Sequence, residues 1–99
     1  MTDVFTIEMF SGHENSKFLM HYGDSQTVEL ELISVTDTGS SPRQAQFSLV
    51  FQGPPNGPAA QNIFRLDHQK LGALDLFLVP IGRNKDGFQY EAIFNRMVE

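Results

Sequence analysis

The sequence predicts a mainly β domain, a six-stranded antiparallel meander closed as a small barrel or folded as a sandwich, with a short N-terminal helical turn. Apolar and polar residues alternate with period two in six separate segments, the pattern of strands with one buried face. Clusters of Gly, Pro, Asn and Asp separate those segments, as turns require. The rhythm runs without an internal repeat through 99 residues, 40% of them hydrophobic, which is the size and composition of one globular domain over residues 1–99. A chain of this length buries roughly two-thirds of its unfolded surface, so it folds without needing a staple.

The first element is a helical turn over 6–12. Thr6 serves as N-cap, Glu8 stands in the favourable first turn and Gly12 stops it. Ile7, Met9 and Phe10 are placed to plug an open end of a barrel. The first strand, 17–22, has Phe18, Met20 and Tyr22 on one face, and Gly23 to Gln26 form a turn. In the second, 27–36, Val28, Leu30 and Leu32 alternate with Glu29 and Glu31 until the phase slips to Ile33 and Val35. A one-residue slip flips the buried face, so a β-bulge is expected near Leu32 and Ile33. The strand 44–52 alternates cleanly, with Ala45, Phe47, Leu49 and Phe51 inward.

Three prolines among Gly53 to Pro58 remove backbone donors, and this stretch reads as an exposed loop tolerant of shortening. Strand 62–67 turns Phe64 and Leu66 inward. Strand 73–81 is apolar on both faces, with Pro80 marking its end. Gly82 to Gly87 form a polar loop ending in Asp-Gly, and the last strand, 88–95, aligns Phe88, Tyr90, Ala92 and Phe94.

Charge and composition exclude several classes of function. Seven Lys and Arg against twelve Asp and Glu give a net charge of −5, and the cations are scattered, so neither nucleic acid nor an anionic membrane surface is an expected partner. No apolar stretch approaches the roughly 20 residues of a membrane span, and the N-terminus lacks an export leader, so membrane insertion is not expected and the cytoplasm is the default location. The absence of cysteine removes disulfides, thiolate zinc sites and cysteine nucleophiles.

Candidate chemistry is sparse. His13, Glu14 and His21 are the only imidazole and acid group close in sequence, and nothing in their spacing makes them converge, so no metal and no other cofactor is expected. Glu29 and Glu31 lie two apart on one strand and read as a solvated face, not a glycosidase pair. Asp67 and His68 assemble a triad with a serine only on paper, since no nucleophile elbow is present; they read as a hairpin cap. The chain is therefore read as no enzyme. Its candidate interaction surface is the proline-rich loop, through Pro54, Pro55, Asn56 and Pro58, together with Phe77, Val79 and Ile93 on the outer side of their strands. An alternative site at a barrel mouth would gather Asp67, His68, Arg83 and Asp86 for a small molecule or carbohydrate.

Several runs carry a family resemblance: Phe5-Thr6-Ile7-Glu8-Met9-Phe10, Gly23 to Leu32, Gln46 to Pro54, Leu76 to Gly82, and the ending Tyr90-Glu91-Ala92-Ile93-Phe94-Asn95. They resemble a family of short bacterial domains of unknown function, and the resemblance covers nearly the whole chain. Members of that family accompany phage-tail-collar-like and tail-fibre-like proteins. The resemblance thus implies a non-enzymatic accessory module of a phage-tail-like or secreted appendage, incorporated into an extracellular or virion-like assembly, and carries over no catalytic residue. A protein partner or self-association is the expectation, and a small ligand bound in a β-barrel is the alternative.

Overall fold

In a computed structural model, which describes residues 6–23, 25–39 and 44–97, six antiparallel strands close into one barrel. A single turn of helix, α1 (Ile7–Phe10), precedes β1 (Lys17–Tyr22), β2 (Gln26–Asp37), β3 (Gln44–Gln52), β4 (Asn62–His68), β5 (Gly72–Asn84) and β6 (Gly87–Met97). Of the two closures open to the sequence, the barrel is the one adopted. Its strand order is β1-β2-β3-β6-β5-β4, with β4 returning to β1.

That order refines the expected meander. A simple meander sets β3 beside β4; here β1 to β3 and β4 to β6 are two meanders, and β3 pairs with β6 from Gln44↔Met97 to Gln52↔Gln89. This pairing brings the inward Phe47 and Phe51 opposite Phe94 and Tyr90. The connection 53–61 must then cross one end of the barrel to reach β4, and that is where the proline-rich segment lies.

The alternation that predicts the strands also fills the interior. Phe18, Met20, Leu30, Leu32, Phe47, Leu49, Phe51, Leu66, Leu76, Leu78 and Tyr90 are all essentially inaccessible to solvent. Each such side chain contributes roughly 1.5–3 kcal/mol by leaving water. The bulge falls where the phase slips: Leu32 faces Phe51 and Ser34 faces Val50, leaving Ile33 as the extra residue. Ile33 is expected inward and is instead exposed, because the bulge itself absorbs the slip; Val35 resumes packing on the core.

At one end, α1 is the expected plug. The Thr6 hydroxyl accepts from the Met9 amide at 3.3 Å, and Gly12 leaves the turn with φ +88°. Fully buried Phe10 meets Phe47 and Phe94, whose rings stack 4.6 Å apart.

At the opposite end, the crossover is a lid and not the free loop the sequence suggests. Gly53 is buried and Pro54, Gly57 and Pro58 are half-buried, while Pro55 and Asn56 are exposed. The buried Tyr90 hydroxyl donates to the Pro58 carbonyl at 2.6 Å. Burial, with nearby Tyr22, pushes its pKa up to about 12, so it remains a donor at every ordinary pH. A Cβ at Gly57 would stand 2.5 Å from that hydroxyl, and one at Gly87 would enter the Gly53–Pro55 backbone. Shortening the segment therefore removes its contacts with Tyr90 and the slack it needs to cross.

β5 also runs past Pro80 to Asn84, although Pro80 reads as its end. Pairing with β4 stops at Asn62↔Leu78, so a residue without N–H interrupts no ladder on that side. Ile81 is a second bulge between Pro80 and Gly82.

Replacing Tyr90 by Phe tests the lid. Losing that bond leaves the Pro58 carbonyl without its donor, at a cost of about 1–2 kcal/mol. For a domain of this size the melting midpoint followed by circular dichroism should fall by about 5–10 °C. An unchanged midpoint would show that the crossover holds without this bond.

Candidate functional site

The outer wall carries one continuous apolar feature. On β4 and β5, Ile63 stands directly opposite Phe77. Between β5 and β6 the pairing ends at Val79↔Glu91, and Phe77 and Ile93 are the next outward residues beyond that end on the two strands. These side chains are 65%, 51% and 68% exposed, which is unusual for three large hydrophobics in one row. Val79 is half-buried beside them. The row arises because β4, β5 and β6 carry apolar residues at both alternating phases. The β1 and β2 wall has Lys17, Glu29 and Glu31 in the outward phase, with a Lys17–Glu31 ion pair at 3.2 Å, and the less exposed Leu19 and Ile33 among them.

Of the sequence-predicted surface, Phe77 and Ile93 are thus brought together with Val79. The proline-rich loop lies elsewhere, at the lid end, with only Pro55 and Asn56 fully exposed. Ile63 is the member that the sequence reading missed. Its signal was present, since inward Phe64 and Leu66 leave residue 63 on the outer phase.

The alternative constellation of Asp67, His68, Arg83 and Asp86 does not form. Asp67 and His68 end β4 beside the start of β5, whereas Arg83 and Asp86 belong to the β5–β6 hairpin at the other end. The β5 residues from Gly72 to Arg83 span roughly 35 Å of extended chain, so the two pairs occupy opposite mouths. Arg83 instead lies over the Phe88 ring, 5.2 Å from its centroid, and the Asp86 amide donates to Asn84 Oδ1.

The three histidines sit along the β1–β4 seam and the adjacent barrel end. On the outside, His21 Nε2 meets Asp67 Oδ2 at 2.5 Å across the two strands. At the α1 end, buried His68 accepts the Lys70 and Leu71 amides on Nδ1, at 3.0 and 3.1 Å. An Nδ1 that accepts two N–H groups carries no proton, so Nε2 holds it and donates to Ser16 Oγ at 3.0 Å. The Ser16 hydroxyl donates in turn to the His13 carbonyl. A general base needs the opposite tautomer. The chain of bonds is a pin that ties the β4–β5 turn to the segment before β1, the hairpin cap expected of His68.

The His68 ring also packs on Phe18 at 4.5 Å and edge-on to His13 at 5.1 Å. Burial first, then the nearby His13 and Lys70, lower its pKa. Beside it opens a pocket of about 300 Å³ lined by Gly12, His13, Glu14, Ser16, Lys17, His68, Gln69 and Lys70. Sequence reasoning missed this grouping because the approach of 12–17 to the β4–β5 turn depends on barrel closure. His13, Glu14 and His21 do not gather. Among the described residues no three His, Cys, Asp or Glu side chains are placed to hold a metal. No helix among them is long and apolar enough to cross a membrane.

Fold and surface together define a small, closed, filled β-barrel whose exposed features are an apolar row on the wall and a polar pocket at one rim. The chain belongs to the family described as domain of unknown function DUF6916, whose model matches residues 5–94. That agrees with the resemblance to a short domain of unknown function. No curated protein matches the chain, and no solved structure does either.

The lowered His68 pKa fixes a sign for pH. Above the unfolded value of 6.5 the ring is neutral in both states; below it the unfolded chain takes up a proton that the folded one resists. This contribution to stability is therefore present above pH 6.5 and lost as the pH falls through the folded pKa. Urea midpoints measured from pH 7.5 to 5 should fall for the natural protein and fall less for His68→Gln. Parallel curves would show that another group carries the acid sensitivity.

Proposed function

We propose that this domain is a non-enzymatic protein-interaction module, docking through the outer row Ile63, Phe77 and Ile93. The exposure of three large hydrophobics in one row of adjacent strands supports this reading, because water is unfavourable against such a surface and a protein partner removes it. The rigid wall of a closed barrel presents the row without ordering cost on binding. The partner is a protein or a second copy of the chain. The sequence resemblance to domains accompanying tail-collar-like and tail-fibre-like proteins extends the proposal to an accessory place in a phage-tail-like or secreted assembly.

A ligand-binding barrel is the second reading, and the rim pocket beside His13 and His68 is what favours it. The barrel interior offers such a ligand little room, since aromatic and aliphatic side chains occupy it.

Changing Phe77 and Ile93 together to Ser tests the docking row. Both side chains are more than half exposed, so the far-ultraviolet spectrum should be retained. Light-scattering mass should drop to that of a monomer if the partner is a second copy. Recovery of a stoichiometric partner by affinity purification from the native host should be lost if it is another protein. A folded double variant that keeps both its mass and its partner sinks the proposal.

A further inference from the structure

The rim pocket is distant in kind from the apolar row, and its lining departs from the charge of the rest of the molecule. In a chain of net charge −5, it sets two lysines, Lys17 and Lys70, against one carboxylate, Glu14, with the His13 and His68 rings beside them, around about 300 Å³. That volume lies at the lower end of the range for small-ligand sites. We propose that this pocket binds a small oxyanion, a phosphate or carboxylate group, between the Lys70 ammonium, the His13 ring and Lys17.

Lys70 is the principal cation. Among the described residues no carboxylate pairs with it. Among the described residues exposed Lys17 is held by the half-exposed Glu31, and such a surface pair contributes little and is readily shared with a ligand. Glu14 is the acid in the lining. Its Oε1 is fastened to the Gly12 amide at 2.7 Å, which anchors the carboxylate and leaves the second oxygen to accept from a hydroxyl on the ligand. The preferred occupant is thus an oxyanion carrying a hydrogen-bond donor.

The frame is already in place before a ligand arrives. His68 is wedged against Phe18, and its two ring nitrogens hold the 69–71 turn and Ser16. The pocket walls on the β4–β5 turn and on the segment before β1 are therefore fixed relative to one another. Burial first, and then the neighbouring His13 and Lys70, oppose protonation of His68, and an anion beside Lys70 relieves that lysine's share of the field.

Amide-resolved nuclear magnetic resonance of the whole chain tests the site. Inorganic phosphate and sodium acetate are titrated separately, with sodium chloride at matched ionic strength as the reference. Saturable shifts are expected at Gly12, His13, Ser16, Lys17, Gln69 and Lys70, and none at His21, which lies on the outer seam. Saturation by phosphate alone assigns a phosphate-type ligand, by acetate alone a carboxylate, and by both a general oxyanion site. Lys70→Gln should weaken binding by about tenfold, as loss of a charge-assisted hydrogen bond does, while Lys85→Gln makes the same charge change in the far hairpin without effect. Shifts that rise linearly and equally in all three salts overturn the proposal, as does an affinity unchanged by Lys70→Gln.

Discussion

Closure of the sheet at β1 and β4 is the constraint on which the rest of this molecule depends. β3 pairs with β6 along nine residues, but β1 pairs with β4 only through Leu19↔Asp67, Met20↔Leu66 and His21↔Arg65. Without that short seam two edge strands would lie open, ready to pair with other chains. The inner phase of both strands would also face water. Its supports are local and polar: His21 with Asp67 on the outer surface, and His68 with Ser16 at the rim. A seam too short to be held by its ladder alone is reinforced by side chains from both strands and from the segment before β1.

The two barrel ends close by different means, and the difference decides where ligand chemistry is available. At the lid end the Gly53–Pro55 backbone leaves no room for a side chain at Gly87, and the buried anchor Tyr90 leaves none at Gly57. At the other end, α1 packs beside β2 and sends Phe10 into the core against Phe47 and Phe94. The side toward β1 and β4 is finished by the 12–17 segment, whose contacts are polar, and there the pocket remains. The pocket and His68 lie at the α1 end of the short β1–β4 seam, and His21 lies on its outer surface.

How much of this was legible follows from the range of each interaction. Strand positions are written in period-two alternation, a local signal, and even the bulge at Ile33 shows as a slip of phase. Strand order is not local. Whether β3 joins β4 or β6 depends on the lid, and its decisive contact, Pro58 with Tyr90, joins residues 32 apart in a stretch whose prolines read as a surface loop. Pro80 misleads in the same way, since it stops a strand only where a partner needs its N–H. For the candidate surface, Phe77 and Ile93 were readable from phase alone. The separation of Asp67 and His68 from Arg83 and Asp86 required knowing that β5 runs the full height of the barrel.

A barrel of this size has a single core to fill, and the inner phase of every strand is committed to filling it. Phe18, Phe47, Phe51 and Tyr90 alone occupy much of a lumen that a binding barrel would leave for its ligand. On the proposed reading, recognition is thereby displaced to the outer phase and the rim. The outer phase is uneven: on β1 and β2, Leu19 and Ile33 stand partly exposed among Lys17, Glu29 and Glu31, while on β4, β5 and β6 the more exposed Ile63, Phe77 and Ile93 interrupt the polar pattern. A wall that only had to stay soluble would carry the charged pattern all round. The apolar row costs solubility and adds nothing to the core, and that asymmetry is the physical ground for reading it as a surface meant to be covered.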